Sequence, residues 1–235
     1  MNSFRIRGLT QAFRGGKLLS KSVFYRFFRI DKNQLVKSHF SYWSSTSHPN
    51  YSNFETAVKL FESKPLEIIE TGSSAWGTDS TRLWDSYVSI FGGSCTSVDL
   101  SDAASKRLRF QLSRKTSLVV ADSVDFLESY QGPKVDFAYL DSWDVNPREP
   151  LPAAIHGLNE FRALYPHLKS GGLVLVDDTP KFMTDEEYLL YPKMKDFKDI
   201  YGQTPGKGAL ILAHLGDFPE IEIVSHEYSL LIRRS

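Results

Sequence analysis

Five places in this chain put acids or hydroxyls directly after an apolar run. "VDFAYLDSWD" (residues 135–144) stops on Asp141 and Asp144 with Trp143 between them, and "LVLVDDT" (173–179) stops on Asp177 and Asp178. Upstream, Glu70 and Thr71 close "PLEIIET" ahead of Gly72 and Ser73, Asp99 closes "SCTSVDL", and Asp122 and Ser123 follow "TSLVVA". Carboxylates held close together can grip a hard cation, and a single carboxylate can accept hydrogen bonds from two neighbouring hydroxyls. Any one of these acids is equally well explained as the N-cap of the next helix. Five in succession ask for more than capping.

The elements that must position these groups are short apolar runs alternating with helical patterns. A helix at about 54–63 leads into "PLEIIET", then a glycine-containing turn and a helix over 79–91 that Thr78 or Asp79 could cap. "SCTSVDL", "TSLVVAD", "VDFAYLD" and "GLVLVDD" read as further strands, separated by helices in "ASKRLRFQLS", "SVDFLESYQ" and "LPAAIHGLNEFRALYPHL". This alternation predicts an α/β fold with a doubly wound, mostly parallel sheet whose buried faces explain the unbroken apolar runs. The tail "EIEIVSHEYSLLIRR" holds two strand-like runs with almost nothing between them, which predicts an antiparallel pair. In an open parallel sheet, ligands bind beyond the carboxyl ends of the strands, where all five polar endings would converge.

In "ETGSSAWGTDSTRLW", Gly72 follows a strand and Gly77 precedes a helix, which permits a tight turn and close approach of a ligand. Asp99 lies one strand further on and could accept from the two hydroxyls of a ribose, so the first half of the sheet should bind a nucleoside-containing cofactor. A dinucleotide of the NAD type leaves Asp122, Asp141, Asp177 and Asp178 without a task and sets them against a pyrophosphate. S-adenosylmethionine, with a sulfonium cation and no phosphate, suits an acidic mouth better. Trp76 and Trp143 sit where they could stack on adenine or on an acceptor ring, or pack at the rim.

These residues resemble a class I S-adenosylmethionine-dependent methyltransferase over about residues 65–235. "IIETGSSAWG" is similar to that family's first glycine motif, "SVDL" to its ribose-binding acid, "VVADSVDFL" to the Asp-Ser segment flanking adenine, and "LKSGGLVLVDD" to the run into strand five. The resemblance implies a seven-stranded Rossmann-like sheet with an antiparallel last strand. It also implies a cofactor site formed from Glu70, Thr71, Gly72, Ser73, Gly77, Asp99, Asp122, Ser123 and Asp141. "YLDSWDVNP" with "LYPHLKSGGLVLVDDT" is similar, more narrowly, to metal-dependent O-methyltransferases of the catechol and macrocin types. By that similarity Asp141, Asp177 and Asp178 would hold Mg²⁺ or another hard divalent cation, which would lower the pKa of a substrate hydroxyl and orient it toward the methyl group. Catechol-type enzymes carry a Lys base three residues after the first ligand, where this chain has Asp144. Asp144 and His156 are the candidates for the base; Asp144 could instead be a ligand or an outer partner, and His156 a structural residue of its helix.

The expected acceptor is a hydroxyl of a small molecule, sugar or glycan, with the long connection from Thr179 to Pro205 as its lid. "QTPGKGAL" (203–210) lacks the strand and spacing of a phosphate loop and reads as a helix start near Gly206. A nucleic-acid base methyltransferase would show a proline pair and an aromatic where this chain has "DSWD", so no nucleic-acid partner is expected. The competing class is a non-catalytic Rossmann-fold binding or membrane-associated assembly protein, with an NAD-dependent oxidoreductase behind it.

Composition bounds these readings. Hydrophobic residues make up 41% of the 235 and charged ones 24%, ordinary for a globular protein, and no run of about 18 apolar residues could span a bilayer. The single cysteine, Cys95, excludes an internal disulfide and a thiolate cluster and favours a reducing compartment. Net charge is zero, yet residues 1–40 carry a surplus of eight positive charges that the other 195 residues balance. The expected division is therefore a basic, aromatic arm over 1–45 and a Rossmann-like domain over 46–235, joined through "SYWSSTSHPNYSN". The arm reads as a packed lid, a peripheral contact with an anionic membrane or an organelle-targeting segment. A helix over 17–30 would align Leu19, Val23, Phe27 and Ile30 but leave Phe24, Tyr25 and Phe28 among the basic residues. A cytoplasmic location is expected, and a homo-oligomer stays open.

Overall fold

The computed structural model describes residues 31–74 and 77–235. The expectations for the arm within residues 1–30, and for Trp76, lie outside the described residues. Seven strands form one sheet: β1 (Leu66–Thr71), β2 (Gly93–Asp99), β3 (Thr116–Val120), β4 (Val135–Leu140), β5 (Leu168–Val176), β6 (Ile221–His226) and β7 (Leu230–Arg234). Their order is β3-β2-β1-β4-β5-β7-β6. β1 to β5 pair in parallel, while β7 runs antiparallel to both β5 and β6. The chain thus has the doubly wound Rossmann-like sheet with a reversed last strand. The strand order changes direction between β1 and β4, and a crevice opens there beyond the strand ends.

Alternation along each strand feeds two cores. Phe137 and Tyr139 of β4 and Leu173 and Leu175 of β5 face a cluster with Phe40, Phe54, Trp84 and Tyr87, whereas Ala138, Leu140, Val174 and Val176 face Leu158, Phe161 and Phe197. The first cluster is covered by α1 (Leu35–Trp43), α2 (Tyr51–Leu60) and α3 (Ser80–Phe91). Within it Phe54 stacks on Trp84 at 5.2 Å between ring centroids and Phe137 meets Trp84 edge-on at 4.7 Å. The second is covered by α6 (Leu151–Leu164), α8 (Pro192–Tyr201) and α9 (Ala209–Ala213), while α4 (Asp102–Leu108), α5 (Ser123–Glu128) and α7 (Asp185–Leu190) complete the helices among the described residues.

Leu35, Val36 and Phe40 of α1 are buried in the first core, so the end of the segment read as the arm packs on the body from Leu35 onward. One sequence expectation shifts. The expected helix at about 54–63 begins at Tyr51 and ends at Leu60, because Glu62 and Ser63 both take positive φ. No helix among the described residues is long and apolar enough to cross a membrane.

Candidate functional site

At the ends of β4 and β5, Asp141, Asp177 and Asp178 bring carboxylate oxygens within 4.8 Å of one another. Consecutive strand residues point to opposite faces, so two adjacent acids reach one cluster only if the backbone turns between them. It does: Asp178 has φ 40°, a left-handed conformation that Asp tolerates better than most residues. Asp177 is buried and held from both sides, its Oδ1 accepting from Asn50 Nδ2 at 2.7 Å and its Oδ2 from the Tyr139 hydroxyl at 2.7 Å. Tyr228, in the turn between β6 and β7, donates to Asp178 Oδ1 at 2.7 Å. The Tyr139 hydroxyl also lies 3.4 Å from Asp141 Oδ2.

The cation among these acids is Lys207. Its Nζ bonds Asp141 Oδ1 and lies 3.1 Å from Asp178 Oδ2, with the side chain only 4% exposed. Burial works against the ammonium, but Asp141, Asp178 and Asp177 outweigh it and raise its pKa. Burial and the Asp177 charge push the Asp141 carboxyl well up despite Lys207, as expected where three acids share one base. Burial, with the charges of Asp141 and Asp177, likewise holds the Tyr139 phenol well above its ordinary range.

The glycine turn stands directly beside this cluster. The Asp141 amide donates to Thr71 O at 2.9 Å, and Gly72, at φ 81°, lies so close that a Cβ there would overlap the Asp141 carbonyl. Its missing side chain therefore lets β1 and β4 end side by side, in addition to any room it leaves for a ligand. The Ser73 amide donates to Asp99 Oδ2 at 3.0 Å and the Ser101 amide to Asp99 Oδ1 at 2.7 Å, which fixes the carboxylate while leaving each oxygen a lone pair. Asp122 caps α5, accepting from the amides of Val124 and Asp125 at 2.9 and 3.1 Å. Gly72, Asp99, Asp122, Ser123, Trp143 and His156 line one cavity of about 70 Å³.

Not every expected site residue joins either group. Glu70 is fully buried, with Oε2 accepting from Thr81 and Ser97; it braces the glycine turn from beneath, and burial raises its carboxyl to about 7. Thr71 is also fully buried. Gly77 has φ 84° and faces the His48 ring. His156 lies in that cavity rather than among the three acids: Nε2 is 2.8 Å from Ser142 Oγ and 3.1 Å from Ser123 Oγ, with Trp143 packed on its ring. Burial pulls its pKa down, but Glu160, 3.6 Å away, reverses this and the net shift is upward. Asp144 is exposed beyond Asp141.

Sequence reasoning missed Asn50, Tyr139, Tyr228 and Lys207. Asn50 was hidden in the polar join, and nothing local marks it. "GKG" was the visible signal for Lys207, read there only as a helix start. The helix does begin just after it, at Ala209, but Lys207 itself points back into the acids.

No protein-family model matches the sequence, and no curated protein matches it either. Solved structures do match in shape. MycE methyltransferase from the mycinamycin biosynthetic pathway, in complex with Mg and SAH, superposes with a TM-score of 0.61 at 16% identity, over 88% of this chain and 55% of that one. Its complex with Mg, SAH and mycinamycin VI gives 0.59 at 15% identity, again over 88% and 55%. A candidate caffeoyl-CoA O-methyltransferase from Staphylococcus aureus gives 0.52 at 14% identity, over 78% of this chain and 83% of that one. The chain thus spans about 55% of the length of the MycE structures. Strand order, reversed β7 and superposition agree: the chain has the fold of the class I S-adenosylmethionine-dependent methyltransferases.

Proposed function

We propose that this protein is an S-adenosylmethionine-dependent O-methyltransferase that acts, with the help of a divalent cation, on a hydroxyl of a small molecule or sugar. The observation that carries this reading is the placement of Asp141, Asp177 and Asp178 at the strand switch point, one peptide from the glycine turn. The donor set fits a hard cation: all the ligand atoms are carboxylate oxygens, and Asp177 is held in place by Asn50 and Tyr139. When bound, such a cation supplies Lewis-acid polarisation and a template for the acceptor oxygen.

The remaining work falls to the chain itself. Asp99 would accept from the ribose hydroxyls, and Asp122, Ser123 and Trp143, which line the same cavity, would border the base. Asp144, exposed three residues after Asp141, would take the acceptor's proton.

Isothermal titration of S-adenosylmethionine into the protein, with and without Mg²⁺, tests the reading. Binding should weaken at least tenfold in Asp99→Ala, and Asp141→Ala should remove any effect of Mg²⁺. Absence of heat from folded protein under both conditions sinks it, and heat with NAD instead selects the oxidoreductase.

A further inference from the structure

The loop that carries Lys207 is built to hold that ammonium among the acids. The Lys207 amide donates to Asp178 O at 3.1 Å, and the Gly208 amide donates to Thr179 Oγ1 at 2.9 Å. Glycines are required on three sides: a Cβ at Gly206 would overlap Asp178 O, one at Gly208 would stand 2.9 Å from Thr179 Oγ1, and one at Gly157 of α6 would overlap Lys207 O. The backbone is therefore pinned to the chain that bears Asp177 and Asp178, and the side chain remains the movable part. Its Nζ sits on Asp141 and Asp178, two of the three acids proposed to ligate the cation.

We infer that Lys207 is a resident cation of the acid cluster and competes with the divalent ion for Asp141 and Asp178, so that the lysine sets the metal affinity of the site. The inference rests on the proposed cation site and adds its regulation. Three ionised carboxylates and one ammonium leave two negative charges, enough to attract a divalent ion, yet Lys207 already holds one oxygen of Asp141 and one of Asp178, while Asn50 and Tyr139 hold those of Asp177 and Tyr228 the other of Asp178. A metal ion taking two or more of these carboxylates must move the ammonium aside, and it binds more weakly for that reason. Lys207 is thus a positioning residue that keeps Asp141 and Asp178 paired, and offsets one of their two charges, until a metal ion arrives.

The test is Mn²⁺ binding followed by the loss of free-ion electron paramagnetic resonance signal, on wild type and on Lys207→Met, which keeps an unbranched apolar stem and removes the charged Nζ. Thermal melting of both proteins shows that the variant is folded. Lys207→Met should bind Mn²⁺ at least tenfold more tightly. In the wild type, saturating Mg²⁺ should raise labelling of Lys207 by an amine-reactive reagent, read by mass spectrometry, since a displaced ammonium leaves its buried position. Equal or weaker Mn²⁺ binding by the variant overturns the competition while leaving the cation site intact. Binding by neither protein removes the cation site and the inference together.

Discussion

At the scale of single residues, two buried ionisable groups tilt stability in opposite directions. Burial raises Glu70 from 4.5 to about 7, so between those values the folded protein keeps a proton that the unfolded chain has released, and stability falls as pH rises. Burial lowers His39 from 6.5 to about 4, outweighing its bond to Thr78 O, so the unfolded chain takes up a proton that the fold refuses, and stability falls as pH drops below 6.5. Each shift corresponds to about 3 kcal/mol at most. Urea unfolding from pH 4.5 to 8 should show Glu70→Gln gaining on wild type as pH rises and His39→Gln gaining as pH falls. Parallel profiles for all three proteins would contradict both assignments. Neither direction could be read from sequence: Glu70 looked like a ligand-facing acid because strand periodicity says which face a residue occupies and not whether its carboxylate meets solvent. Asp141, Asp177 and Asp178 stood out because five polar strand endings in succession ask for more than helix capping, whereas Asn50 reaches Asp177 across 127 positions of sequence and leaves no local mark.

At the scale of elements, α6 carries a test of how the site is held. Gly157 lies in the middle of that helix, where Ala would ordinarily stabilise by about 1 kcal/mol. Here a Cβ would overlap the Lys207 carbonyl, so Gly157→Ala should destabilise by about 1–3 kcal/mol and shift the 204–208 loop. Denaturant unfolding reads the first effect and Mn²⁺ affinity the second; a stabilised variant would mean that the loop does not press on α6. The strands and their order of appearance were legible because a parallel sheet buried on both faces leaves long apolar runs separated by helical spacing. Ends of elements were less so. α1 looked like part of a linker and arm because its apolar residues, Leu35, Val36 and Phe40, sit among basic and polar ones, and only docking on Phe54 and its neighbours makes them core.

At the scale of the whole molecule, the sheet is one body that both proposed ligands grip at the same edge. A ligand that binds only the folded state at a hundredfold excess over its Kd adds about 2.7 kcal/mol, so S-adenosylmethionine should raise the melting temperature by about 5–10 °C, and NAD should not. Differential scanning fluorimetry checks this, and equal shifts with both ligands would point away from a methyl donor. The surplus of positive charge in residues 1–40 against an acidic remainder was plain in the sequence, while the fate of residues 1–30 lies outside the described residues. The contact of Gly72 with the Asp141 carbonyl, and of the Asp141 amide with Thr71 O, has a thermodynamic corollary. If both proposed ligands bind, any movement of the glycine turn on admitting a methyl donor is movement of Asp141, the first proposed cation ligand. The two would then be heterotropic effectors of one another, and whatever factor the cation lends to donor affinity, the donor must return in full.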